Sequence, residues 1–184
     1  MIIHLNGWPG SGKLTVGREL ARRLHGRLVD NHTLHNVALS VCDRNTPEYW
    51  QTFYEVREIA YARIRAMPKD ETIVMTNALT RESEREVEQW NAVKKLAFDR
   101  ADMLLAVTLI CAEEENIRRV QSPERADNRK ITDPKPLVSW RSKFSLIVEG
   151  ADEWMVVDNT DLTPSEAAST ILACASVSLR LLQP

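Results

Sequence analysis

Apolar residues along this chain follow two alternating patterns. Short runs dense in Ile, Val, Leu and Met give way to longer stretches in which apolar positions return every three or four residues. The first pattern fits buried strands and the second amphipathic helices, so their alternation predicts an α/β protein with a parallel sheet covered by helices. Residues 2–5 read as a first strand, and a helix over 13–25 sets Val16, Leu20 and Leu24 on one face. A short strand over 27–30 follows. Thr46 before Pro47 has the chemistry of an N-cap and first helical position, and Trp50, Phe53, Val56, Ala60, Ile64 and Met67 continue at helical spacing. Residues 72–76 read as a third strand. The next helix carries Glu82, Glu84, Glu86 and Glu88 early and Lys94, Lys95 and Arg100 late, which suits its macrodipole. The run 103–110 is the most apolar and predicts the central strand.

After Cys111 a short helix passes through Arg118 and Arg119. The stretch 121–136 holds Pro123, Pro134 and Pro136 with Arg125, Arg129, Lys130 and Lys135, and without apolar periodicity it predicts a mobile loop. A helix up to Glu149, a strand over 154–157 and a last helix opened by the capping box Thr163-Pro164-Ser165-Glu166 complete the chain. No repeat or linker interrupts the pattern, so residues 1–184 are expected to form one domain. Trp50, Trp90 and Trp154 read as core, and Trp8 as a stiffener of the turn in which it lies.

Charge narrows the function classes. With 24 basic against 26 acidic side chains and a net charge of -2, a phosphate-neutralising nucleic-acid surface is disfavoured, and a small-molecule partner is expected. No apolar run approaches membrane-spanning length. Three cysteines without close spacing fit neither a disulfide framework nor a zinc ribbon, which points to a reducing, cytoplasmic setting.

Four of the six glycines, Gly7, Gly10, Gly12 and Gly17, cluster within eleven residues after the first strand and read as marks of a phosphate cradle. Gly26 and Gly150 read as helix stops ahead of strands. Gly7-Trp8-Pro9-Gly10-Ser11-Gly12-Lys13 matches seven positions of the phosphate-binding loop between a strand and a helix. In such a loop backbone N–H groups turn toward the phosphates, the helix dipole adds to them and the lysine neutralises the outer phosphates. ATP and magnesium are the expected ligands. Gly7, Pro9, Gly10, Ser11, Gly12, Lys13, Leu14 and Thr15 are the candidate nucleotide contacts. The eighth position is Leu14, without the magnesium-binding hydroxyl, so Thr15 and Asp30 stand as candidate metal ligands.

On this loop and the order of elements the chain resembles the small P-loop kinases of the shikimate kinase and gluconate kinase type, relatives of the nucleoside monophosphate kinases. The resemblance implies a three-layer fold with five parallel strands in the order 2-3-1-4-5 and an arginine-bearing lid over about 121–136. It implies transfer of the γ-phosphoryl group of ATP to a small acceptor such as a sugar acid, a shikimate-like compound or a nucleoside. Carried over by position, Lys13, Arg125 and Arg129 take catalytic roles, and Asp30 or His32 receives the acceptor hydroxyl proton. Arg119, Asn159 and Thr160 fall on the adenine side, with Arg118 beside Arg119. Arg44, Arg57, Arg81 and Arg141 are candidate substrate arginines, joined by Asp30 and His32. Each has a plainer structural reading, a solvated helix face for Arg57 being one. A non-catalytic nucleotide-binding module and a nucleoside or nucleotide kinase are the alternatives. The absence of Asn-Lys-x-Asp and Asp-x-x-Gly motifs argues against a switch GTPase, and the length and the Thr76-Asn77 strand end against a motor ATPase.

Overall fold

Strand order follows from which runs are buried on both faces. In the computed structural model, which describes residues 1–123, 125 and 130–181, β1 (Ile2–Gly7) is buried along its whole length. It lies between β3 (Ile73–Thr76) and β4 (Leu104–Ile110). The less buried runs, β2 (Arg27–Asp30) and β5 (Glu153–Asp158), take the edges, giving five parallel strands among the described residues in the order 2-3-1-4-5. Strand alternation divides the core. Ile3, Leu5, Val74, Leu105 and Val107 meet α1 (Lys13–Arg23) and the last helix, α7 (Pro164–Leu181). Ile2, Ile73, Met75, Leu104 and Ala106 meet α3 (Pro47–Arg65) and α4 (Glu84–Arg100). The short α5 (Glu113–Val120) and α6 (Lys135–Lys143) close a satellite cluster of Trp8, Val120 and Leu137 against Trp140 and Leu146.

The expected caps form. Thr46 accepts from Tyr49 N at 3.2 Å, and Thr163 and Glu166 satisfy each other's backbone N–H groups at 2.8 and 3.2 Å. Other expectations need correction. Residues 31–39 form a helix, α2 (Asn31–Leu39), that apolar spacing does not announce, because its first turn is Asn, His and Thr. It is held from outside, through Ala38 and Leu34 packed on Tyr49 and Phe53 of α3. α4 starts at Glu84 on a Ser83 cap, and α6 ends at Lys143 well short of Glu149. The residues after α6 run beside the segment after β3, where Ile147 N donates to Leu79 O and Arg81 N to Ser145 O. Trp154 is 62% exposed, because strand alternation at the β5 edge turns it away from the core. Gly17 belongs to the packing of α1 rather than to a phosphate cradle, since a side chain there would press on Leu28, Leu5 and Thr76. His25 takes the left-handed turn after α1, and Gly26 allows the close approach of the Thr72 carbonyl.

Candidate nucleotide site

β1 delivers the chain into the loop 7–12, and α1 begins at Lys13 without any side-chain cap, leaving the first-turn N–H groups without intrahelical acceptors. Gly10 and Gly12 stand at φ 86° and 87°, a region that suits glycine, and a Cβ on Gly10 would meet the Asn116 amide and Val120 at 2.7 Å. At Gly7 it would meet Leu109 O at 2.6 Å. The loop is therefore a concavity of backbone donors at a positive helix end, the arrangement that takes an anion. Ser11 Oγ is buried inside it without a hydrogen-bond partner.

Lys13 donates to the carbonyls of Gly7 (2.6 Å) and Trp8 (2.9 Å), so its ammonium already bends over the loop. Burial, then the nearby Arg125 cation, pull its pKa down to about 7, with Asp30 acting in the opposite sense and Lys130 in the same. Lys130 and Asp30 also line a cavity of about 300 Å³ between α1, the end of β2 and α2, together with Leu14, Arg18 and His32. Arg125 donates to Ile131 O at 3.0 Å, and its burial lowers its pKa. Positive charge thus gathers at Lys13, Arg125 and Lys130, close to the Asp30 carboxylate. Asp30 is held in place by the Thr76 hydroxyl, which donates to it at 2.7 Å. Arg129 lies outside the described residues.

Side chains brace the loop from behind. Asn6 accepts from Gly7 N (3.0 Å) and Leu79 N (2.8 Å) and donates to Leu79 O and Ile147 O. Asn116, fully buried, donates to Pro9 O at 2.8 Å while its own carbonyl accepts from Arg141 at 2.9 Å. Asn159 donates to Ser11 O at 2.8 Å and accepts from Arg119 at 3.1 Å. Arg119 also grips Glu115 and the carbonyls of Asn159 and Thr160. Thr160 accepts from Ala112 N at 2.8 Å. Arg119, Asn159, Thr160 and Arg141 therefore act on the loop's frame, and Arg141 is engaged with Asn116, Cys111 O and Glu113. Arg118 is exposed and paired with Glu115.

The remaining candidates scatter. Arg57 is buried, bidentate on Glu88 (2.9 and 3.0 Å) and set against Tyr54 and Tyr61, so it neither solvates a helix face nor offers a free fork. Arg81 pairs with Glu149 at 2.6 Å. Arg44 is exposed in the turn before α3, near His35. His32 sits in the first turn of α2 on the wall of the larger cavity. A smaller cavity, of about 170 Å³, opens between α2, α3 and α4, walled by Asn31, His35, Trp50, Arg85, Glu86 and Gln89. In the sequence Trp50 reads as core and Glu86 as a helix-start charge, and nothing there groups these residues into a site. They come from separate elements and form no local motif.

A family model described as an AAA domain matches residues 3–161, most of the chain. The chain belongs to the AAA domain family. No curated protein matches it. Among solved structures this AAA domain is similar to a sugar kinase from Janibacter sp., with 17% identity, 100% of this chain and 98% of that one covered, and a TM-score of 0.61. A gluconokinase from Sinorhizobium meliloti is 19% identical over 97% and 94% of the two chains, with a TM-score of 0.59. A shikimate kinase from Acinetobacter baumannii, in complex with shikimate, is 16% identical over 96% and 93%, with a TM-score of 0.58. At these identities the likeness establishes the small P-loop kinase fold.

Against that fold the donors for magnesium are sparse. Leu14 has no oxygen in its side chain, and the exposed Thr15 hydroxyl donates to Gly12 O at 2.8 Å. Among the described residues Asp30 is the carboxylate close enough to act on Lys13, and they hold no cluster of three or more His, Cys, Asp or Glu suited to a metal. These side chains do not make a resident metal site. Among the described residues no helix is long and apolar enough to cross a membrane.

Proposed function

We propose that this AAA domain is an ATP-dependent phosphotransferase acting on a small metabolite. The observation that carries the reading is the closeness of the Asp30 carboxylate to Lys13 of the loop, with Arg125 and Lys130 beside them. The loop N–H groups and Lys13 would hold the β- and γ-phosphates of ATP, leaving the γ-phosphorus toward Asp30. An acceptor hydroxyl beside Asp30 would attack that phosphorus as the bond to the bridging oxygen breaks, with ADP leaving and the hydroxyl proton passing to the Asp30 carboxylate. His32, on the same cavity wall, is the second candidate for that proton. Arg125, and Arg129 from the lid segment 121–136, would add positive charge where the transferring group becomes more charged. Residues 1–184 would work as one domain.

The test is acceptor-dependent ADP release over a panel of sugar acids, shikimate, nucleosides and nucleoside monophosphates, with Asp30→Asn as the variant. The reading requires turnover with one class of acceptor and a fall of at least about 100-fold in Asp30→Asn. Leu14 in place of a hydroxyl residue favours the other reading, a nucleotide-binding module without transfer. ATP binding without acceptor-dependent turnover would establish that one.

A further inference from the structure

The outer edge of β5 is open, and its side chains do not suit water. β5 pairs with β4 alone among the described residues. Asn159 N, just past the strand, donates to Ile110 O at 2.9 Å, so the odd-numbered residues turn their N–H and C=O groups toward β4. Those of Trp154 and Val156 therefore point outward, where no described strand meets them. Edge strands are normally blunted by lysine, proline or a bulge, yet β5 contains neither residue and runs in unbroken register with β4. Its two faces differ. Met155 and Val157 pack under α7, whereas Trp154 and Val156 stand 62% and 50% exposed on the opposite face. Trp154 lies beside Ala106, which packs in one cluster with Ala97 of α4, and the next residue of that helix, Phe98, is 84% exposed. Two aromatic side chains thus stand in solvent on one side of an unpaired strand.

We propose that β5 is an interface for a second copy of this chain, the two edge strands pairing antiparallel about a twofold axis. Directly opposed residues in such a pair share a face, so the axis must pass through a residue and not between two. An axis at Met155 sets each Trp154 opposite Val156 of the second copy, an aromatic and β-branched pair whose outward N–H and C=O groups meet in hydrogen-bonding register. An axis at Val156 would instead set Trp154 against Asp158. In the favoured register Asp152 comes opposite Asp158, and both carboxylates are already turned back on their own chain, to Leu104 N at 2.8 Å and to Thr160 N and Oγ1 at 2.9 and 2.5 Å. A second copy is thus an occupant that brings its own exposed Trp154 to cover each Val156. Trp154 and Phe98 together expose on the order of 300 Å² per copy. With Val156 and the strand edges added, two copies approach the roughly 1,200 Å² at which specific interfaces begin, which fits a reversible dimer. The two phosphate loops then lie at opposite ends of one continuous sheet, and both stay open to a nucleotide.

The experiment is sedimentation velocity of the intact protein over a dilution series from the micromolar to the submillimolar range. A reversible equilibrium between monomer and dimer is expected. Trp154→Lys should weaken the dimer by about 100-fold or more. Val156→Pro removes an outward N–H and no bond of the ladder to β4, and should weaken it by at least about tenfold. Ile59→Lys, a like change at a 67% exposed residue of α3, should leave the dimer intact. Far-UV circular dichroism of each variant separates lost pairing from a lost fold, and Trp154→Lys decides where Val156→Pro perturbs the fold. A monomer at every concentration, association beyond a dimer, or a dimer that survives in either folded β5 variant would each overturn the proposal.

Discussion

Behind the phosphate loop, Asn6, Asn116 and Asn159 each commit their amides to named partners, and Arg119 and Arg141 hold two of the three in place. Beside α2, Asn31 and Gln89 line a cavity without side-chain hydrogen bonds among the described residues, whereas Arg85 on its wall leans on Tyr54 and Trp50. Triphosphate geometry is constant, so a site for it can be built in advance from backbone donors and locked. An acceptor varies, and the groups that read it must stay available until it arrives. The contrast therefore separates a preorganised half from a half completed by its ligand, and substitutions in the two should fail differently.

Lys13→Ala gives the largest expected effect. Removal of the ammonium should weaken ATP binding by about 100-fold or more, since charge-assisted contacts to phosphate are lost. Binding of the acceptor to the second cavity should stay within about twofold, as Lys13 is not among its walls. Titration of each ligand separately measures both numbers. Parallel losses would mean that the halves are one coupled site.

Asn116→Ala and Asn31→Ala sharpen the comparison through stability. The first orphans the Pro9 carbonyl and the buried end of Arg141 and should cost about 1–3 kcal/mol in chemical denaturation, with a raised KM for ATP. The second removes an amide with no side-chain hydrogen bond among the described residues, so stability should change by no more than about 0.5 kcal/mol while the acceptor KM rises. A destabilised Asn31→Ala protein with unchanged acceptor KM would erase the distinction.

How much of this was readable in the sequence divides along the same line. The loop was legible because phosphate chemistry places Gly10, Gly12 and Lys13 in one short segment, whereas the strand order came with the family resemblance; apolarity alone put residues 103–110 at the centre of the sheet, where β1 stands instead. Candidate arginines were legible as charge and not as geometry. Arg57 and Arg141 have the right side chain, but Glu88 engages the first, and Asn116 and Cys111 O the second. Asn31, Trp50, Arg85 and Gln89 stay hidden for a different reason. Their association depends on α2, whose polar first turn gives no helical period, and on α3 and α4 meeting it in space. Asn116 gives no sequence signal either, since its role appears only when α5 packs on Gly10.

Protonation tests the preorganised half without a mutation. Lys13 falls to about 7 in the ligand-free protein through burial first, so above that pH it is increasingly neutral, and a bound triphosphate draws the proton back. ATP binding should then take up close to one proton at about pH 8–9, and affinity should fall by at most about tenfold per pH unit above 7. Folding carries the same linkage. The unfolded chain keeps Lys13 protonated up to its ordinary value, so this group's contribution to stability grows more favourable as pH rises from about 7 toward 10.5. Calorimetry in buffers of different ionisation enthalpy counts the proton, and zero uptake would show that Lys13 is fully charged before ATP arrives.

The smallest effect comes from the one position where the preorganised half is incomplete. Leu14 offers a backbone N–H in the first turn of α1 but no hydroxyl, and Thr15 turns its own hydroxyl back to Gly12 O. Magnesium that arrives with ATP therefore gains little from the side chains of this turn, and ATP affinity should depend on it only weakly. Leu14→Ser restores an oxygen at that position and should raise the ratio of affinities with and without magnesium by a few-fold, about 1 kcal/mol. Fold stability should barely change, because Leu14 is only half-buried and lies on the wall of the larger cavity. Titrations of ATP into both proteins, with magnesium and with a chelator, give the ratio directly. An identical ratio would mean that the position of the hydroxyl is immaterial and that another donor, with Asp30 the nearest carboxylate to Lys13, already serves the metal in the native chain.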